Sequence, residues 1–99
     1  MSQWYAVIRT RGPGWDFARP MREQPLWNEH AAFTDGLEAE GLIRLAGPLE
    51  DSDQDVLLIM RGDSPEALEA RLSQDPWCPA DMIKTTRISP WRVLVGSLE

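Results

Sequence analysis

The side chains of this 99-residue chain that best suggest proton transfer are His30 and Asp75. His30 is the only histidine. An unperturbed imidazole titrates near ~6.5, which suits a general acid or base close to neutral pH. His30 also lies in an apolar stripe. Leu26, His30, Phe33 and Leu37 fall at i, i+4, i+7 and i+11, and Trp27, Ala31 and Thr34 widen the stripe. That spacing predicts a helix with the imidazole directed at the body of the protein. A ring so placed is either a core histidine satisfied by one backbone carbonyl or the wall of a pocket between helix and sheet. Spacing leaves both readings open. Asp75 is the candidate partner, because a carboxylate beside an imidazole fixes its tautomer and favours its protonated form. The Asp75-Pro76 step reads equally well as a helix stop, since the residue before proline is pushed out of the helical region.

Other residues bear on a site less directly. Arg9 and Arg87 fall in strand-like segments, where they either steer an anionic substrate or are solvated. Trp77 and Trp91 suit core or interface anchors as well as stacking surfaces. Gly47-Pro48 reads as a strand end. Asp51-x-Asp53-x-Asp55 begins like a calcium loop but has Val56 where glycine is required and Gly62 where glutamate is required, so it reads as a solvated acidic turn. Gly12-Pro13-Gly14 lacks the Lys-Ser/Thr of a phosphate loop. Cys78, the single cysteine, has no histidine near it in sequence and reads as an inert, semi-buried thiol. One histidine and one cysteine per chain, with no nucleotide-binding glycine loop, predict no metal and no organic cofactor.

The elements that must position these residues follow from pattern. Trp4–Arg9 is aromatic and β-branched and predicts a strand. Gly12-Pro13-Gly14 breaks it. Trp15–Gln24 has no period and predicts a long loop, part of which packs down through Trp15, Phe17 and Met21. Pro25 suits the first position of the helix that carries His30, and Gly41 suits its left-handed stop. Leu42–Ala46 predicts a second strand, and the apolar run Val56–Met60 a central strand buried on both faces. Ser64, Pro65 and Glu66 announce a helix with Leu68 and Leu72 on its buried side. Ile83–Ile88, with Lys84 and Arg87, predicts an edge strand, and Trp91–Val95 either extends it or folds back. The order β-α-β-β-α-β is the ferredoxin-like split pattern, an α+β fold with helices on one face of the sheet.

Composition narrows the class of function. Ninety-nine residues, 42% of them apolar, make one domain spanning 1–99. Ten basic against 16 acidic residues give a net charge of −6, which disfavours nucleic acid and anionic membrane surfaces alike. No apolar run exceeds five residues, far short of the ~20 that span a bilayer. Met1–Arg11 carries charge and no secretory apolar stretch, and the lone cysteine suits a reducing compartment, so a cytoplasmic protein is expected. A one-sided sheet in so small a chain, with five tryptophans, predicts a homodimer that covers the open face.

Together these residues resemble the YCII-related (YciI-like) proteins. The resemblance rests on His30 in helix one, Glu40-Gly41-Leu42, Ala46-Gly47-Pro48-Leu49, the helix Ser64–Ser73, Asp75-Pro76-Trp77 and Ile88-Ser89-Pro90-Trp91. Each motif is short; their order and spacing, over about residues 4–92, carry the specificity. The resemblance implies a ferredoxin-like domain that dimerises into an α+β barrel, and it implies that His30 and Asp75 are the active-site pair. Gly47, Pro48, Trp77 and Arg9 are the substrate-binding candidates. The family includes a dehydrochlorinase of a chlorinated hydroxyhydroquinone and resembles muconolactone isomerases in fold. The expectation is a cofactor-free enzyme in which a His-Asp pair moves a proton on a small aromatic or enol-bearing molecule, as an isomerase, lyase, dehalogenase or hydrolase. The alternatives are a non-catalytic, small-ligand-binding or regulatory dimer, and an interaction module whose tryptophans meet a protein partner. The segment Arg11–Gln24, with Trp15, is longer than in leaner members and caps the site differently.

Overall fold

The computed structural model describes residues 3–99. Its elements are β1 (Gln3–Arg11), α1 (Trp27–Ala39), β2 (Ile43–Pro48), β3 (Asp55–Gly62), α2 (Pro65–Leu72) and β4 (Ile83–Pro90), with a short 3₁₀ turn at Met21–Glu23. The four strands form one antiparallel sheet in the order β2-β3-β1-β4. This is the ferredoxin-like α+β arrangement, with β1 and β3 interior and β2 and β4 at the edges.

Period two divides the sheet between two environments. On β1, Tyr5, Val7 and Arg9 are buried beneath the helices. Opposite them across the ladder stand Met60, Leu58 and Val56 of β3. Leu37 of α1 and Leu68 and Leu72 of α2 close this core. The alternate residues point the other way: Ala6 pairs with Ile59, and Ile8 with Leu57. Leu45 of β2 pairs with Ile59 on that same face and is 54% exposed. Among the described residues no helix covers this side.

Most strand ends lie one or two residues from the sequence expectation, β2 at Ile43–Pro48 and β3 at Asp55–Gly62 among them, and three boundaries bear on the site or the tail. β1 continues past Arg9 to Arg11, because Thr10 and Arg11 keep their partners Lys84 and Ile83 on β4. α1 begins at Trp27 rather than Pro25. Leu26 is left-handed (φ 62°) and exposed, so it drops out of the buried stripe. The cause is local: the Pro25 carbonyl accepts the Trp77 indole N–H at 2.8 Å, and the Trp27 N–H bonds back to the Gln24 carbonyl at 3.3 Å. β4 reaches Pro90, beyond the predicted end at Ile88, and the tail then folds back. Leu98 accepts a hydrogen bond from Arg44 Nε at 2.8 Å, and Glu99 lies 3.4 Å from Arg61.

α2 starts as predicted, with the Ser64 hydroxyl capping the Ala67 N–H at 3.0 Å and Pro65 in the first turn. Of the long loop, Trp15 is buried and Met21 packs beside it, whereas Phe17 stays exposed. The loop is zipped to the turn before β4: Gly12 N–H bonds the Met82 carbonyl at 3.0 Å and Gly14 N–H bonds the Asp81 carbonyl at 2.8 Å. Only glycine fits there, since a Cβ on Gly12 would lie 2.5 Å from the Asp81 carbonyl oxygen and one on Gly14 would overlap that of Ala80.

Candidate active site

Asp75 leaves the end of α2 and is fully buried. A carboxylate survives such burial only when its oxygens are hydrogen-bonded. Oδ1 accepts the Trp77 backbone N–H at 2.9 Å, which the Asp-Pro-Trp turn brings back onto it. Oδ2 accepts Arg9 Nη1 at 2.8 Å and lies 2.8 Å from His30 Nδ1. Burial pushes the Asp75 carboxyl up, but the bonds from His30, Trp77 and Arg9 outweigh it and hold the group below the usual carboxylate range. Asp75 is therefore ionised near neutral pH and can only accept. It follows that Nδ1 of His30 carries the proton it donates, and that a neutral ring has its lone pair on Nε2. Among the described residues no hydrogen bond engages Nε2.

Aromatic rings enclose the imidazole. Trp77 stacks on it with centroids 3.6 Å apart and planes 9° from parallel. Trp15 meets Trp77 edge-on at 5.1 Å. Trp27, half-buried at the start of α1, tilts toward both His30 and Trp77 at 5.8 and 6.0 Å. The rings exclude water from one side of the pair and lower the local dielectric, which strengthens its electrostatics.

Arg9 corrects the expectation of a solvated strand residue. It is 2% exposed. Beyond Asp75, its Nη2 reaches the Leu72 carbonyl at 3.4 Å and Cys78 Sγ at 3.1 Å, while Nε has no partner. Arg87 is solvated, with Nε bonded to Ser89 Oγ at 2.7 Å. Cys78 is half-buried, and burial pushes its thiol up, so it is protonated.

His30, Asp75, Trp77 and Arg9 thus converge. Gly47 and Pro48 do not join them. They end β2 opposite Leu57 and Val56, and Pro48 borders a groove with Trp15, Phe17 and Met21. Sequence reasoning missed the bond of Arg9 to Asp75 and the edge-on contact of Trp15 with Trp77. For Arg9 a signal existed: Tyr5, Val7 and Arg9 share one side of a strand, so the side that buries the first two buries the third. A separate cavity of about 480 Å³ opens at the ends of β1 and β4, lined by Thr10, Arg11, Phe17, Cys78, Ile83 and Lys84 among others.

The sequence model of a family described as the YCII-related domain matches residues 4–92. No curated protein matches the chain. Among solved structures it is similar to 5-chloro-2-hydroxyhydroquinone dehydrochlorinase from Burkholderia phenoliruptrix, in complex with 2,5-dihydroxybenzoquinone. The two share a TM-score of 0.56 and 21% identity, over 89% of this chain and 93% of that one. The likeness establishes a common fold. No helix among the described residues is long and apolar enough to cross a membrane.

Proposed function

This chain belongs to the YCII-related family, and we propose from that premise that it is a small-molecule enzyme in which His30 moves a proton and Asp75 orients it. The observation that carries the reading is the 2.8 Å contact between His30 Nδ1 and a buried, ionised Asp75, with Nε2 left without a partner. Nε2 takes a proton from a carbon or hydroxyl of the substrate. Asp75 stabilises the imidazolium that forms, and Nε2 then returns the proton elsewhere. In an isomerisation the proton comes back to a second atom of the same molecule. In an elimination the electron pair of the broken C–H bond forms the double bond, the halide leaves, and the proton is released to water. The residues need no metal or organic cofactor for either course. The dehydrochlorinase of similar fold makes chlorinated and enolisable phenols the first compounds to try. The test is turnover of such a series by wild type and His30→Ala; turnover that survives the substitution rules His30 out.

The same protein acts as a homodimer in this proposal. Around the buried Ile59, the half-buried Ala6, Ile8 and Leu57 and the exposed Leu45 form an apolar sheet face without a helix over it, and a second copy would bury the rest of it. Light scattering should give twice the 11.2 kDa chain mass.

A non-catalytic ligand-binding dimer is the second reading. It is favoured by the 480 Å³ cavity, which His30 does not line. Saturable binding of small phenols, with no turnover and no loss on His30→Ala, would select it.

A further inference from the structure

One carboxylate oxygen faces two nitrogen groups. Oδ2 of Asp75 lies 2.8 Å from Arg9 Nη1 and 2.8 Å from His30 Nδ1. All three side chains are buried or nearly so, at 2%, 0% and 9% exposure. In such a place net charge matters more than any single contact, because an uncompensated charge in low dielectric costs several kcal/mol, on the order of 3–5 for a broken buried pair. Arginine stays protonated throughout the physiological range. Arg9 and Asp75 therefore already sum to zero before His30 is counted.

Resting on the proton-transfer reading above, we propose that Arg9 is a positioning residue that cancels the charge of Asp75, so that His30 waits as a neutral imidazole and acts first as a base. Without Arg9 the balanced state of the cluster would be imidazolium beside carboxylate, and the histidine would begin each cycle holding a proton. With Arg9 in place a proton on Nε2 raises the cluster to a net positive charge inside the aromatic enclosure. That state is one to pass through rather than to rest in. Trp77 supports the passage, since an indole face at 3.6 Å attracts a cation.

The geometry favours arginine over any other cation here. Its planar fork spends Nη1 on Asp75 and Nη2 on Cys78 Sγ and the Leu72 carbonyl. This fixes the guanidinium beside Oδ2, the same oxygen that the imidazole faces. A lysine, with one flexible ammonium, could not span the three acceptors. The remaining ionisable groups do not upset the balance. Cys78, from the turn after α2, is a protonated thiol. Glu69 of α2 is exposed and acts on Cys78. Glu29, on the helix of His30 itself, is exposed.

The lone histidine makes the test clean, because every imidazole signal of the protein is its own. Nitrogen-15 NMR of His30 would be followed across about pH 5 to 9, a range that brackets histidine titration. Wild type at neutral pH should show a neutral ring protonated on Nδ1; a doubly protonated ring there would overturn the proposal. Arg9→Met should move the midpoint up, by about one unit if the coupling is tenfold, and an unmoved midpoint would overturn it. If Arg9→Met does not fold, Asp75→Asn and the double variant Arg9→Met/Asp75→Asn make the same comparison. The double should then titrate at higher pH than Asp75→Asn, and equal midpoints would overturn the inference. The ring is read without substrate. An empty turnover screen thus leaves the result standing, and an unmoved titration leaves the enzyme reading standing.

Discussion

The imidazole of His30 lies flat against the indole of Trp77, centroids 3.6 Å apart and planes 9° from parallel. The same tryptophan donates its backbone N–H to Asp75 Oδ1 and its indole N–H to the Pro25 carbonyl just before α1. One residue thus fixes the plane of the base, the rotamer of its carboxylate partner and the approach of the helix that carries the base. The pair is held by a shared neighbour as well as by its own hydrogen bond.

Substitution of Trp77 should therefore damage stability and site together. Trp77→Ala is expected to cost about 3–5 kcal/mol, the range for a large aromatic removed from a core. Trp77→Phe keeps a ring on His30 but strands the Pro25 carbonyl, for about 1–3 kcal/mol. Urea unfolding followed by circular dichroism checks both; a Trp77→Phe variant as unstable as Trp77→Ala would show that the indole hydrogen bond to Pro25, and not the ring, holds the site.

Acid should unfold the protein through Asp75. Its carboxyl is held below the ordinary range in the folded state. A depressed acid contributes stability that is present above the unfolded value near ~3.9 and is lost as pH falls through the folded one. Unfolding free energy should drop steeply below about pH 4. Asp75→Asn should be less stable at neutral pH and should show a shallower acid slope. A variant slope as steep as wild type would assign the acid sensitivity to other carboxylates.

The zipper between the loop and the β4 turn should not tolerate a side chain. A methyl group on Gly14 would overlap the Ala80 carbonyl oxygen. Gly14→Ala is expected to cost about 1–3 kcal/mol, as overpacking does, and to loosen Trp15 from Trp77. Near-ultraviolet circular dichroism would report the loosened tryptophans, whereas Gly36→Ala, with open space around it, should leave them unchanged.

A charge on the open sheet face should separate the proposed dimer. Ile8 and Leu57 sit opposite each other there. Ile8→Asp should give a monomer by light scattering with its His30 environment intact, since Tyr5, Val7 and Arg9 on the other side of β1 are untouched. An Ile8→Asp protein that still scatters as a dimer would move the interface elsewhere.

Much of this was legible in the chain itself. α2 follows Ser64-Pro65 because a capping hydroxyl and a proline need only their immediate neighbours, and β3 follows from five consecutive apolar residues. The start of α1 was not legible. Pro25 and Leu26 are good entry residues locally, but the carbonyl of Pro25 answers to an indole 52 positions away. The same holds at the site. The spacing of His30 turned it inward, but the guanidinium that shares its carboxylate comes from β1, where a lone arginine in a strand looks like a solvated charge until its pleat is counted. Gly47 and Pro48 show the reverse: they end β2 and lie outside the cluster of His30, Asp75 and Arg9.

The pairing of Arg9 with Asp75 spans 66 residues, and β1 lies between β3 and β4. On the ribosome, β1 therefore emerges long before either strand that flanks it. Until the turn after α2 has been made, Arg9 has no carboxylate to meet, and one edge of β1 stays open until β4 follows. Contacts of such sequence separation are slow to form and leave strand edges exposed meanwhile. The cluster of Arg9, Asp75 and His30 is thus among the last parts of the protein to come into being, and a chain cut short before residue 83 would have an unpaired edge where the finished protein has its fourth strand.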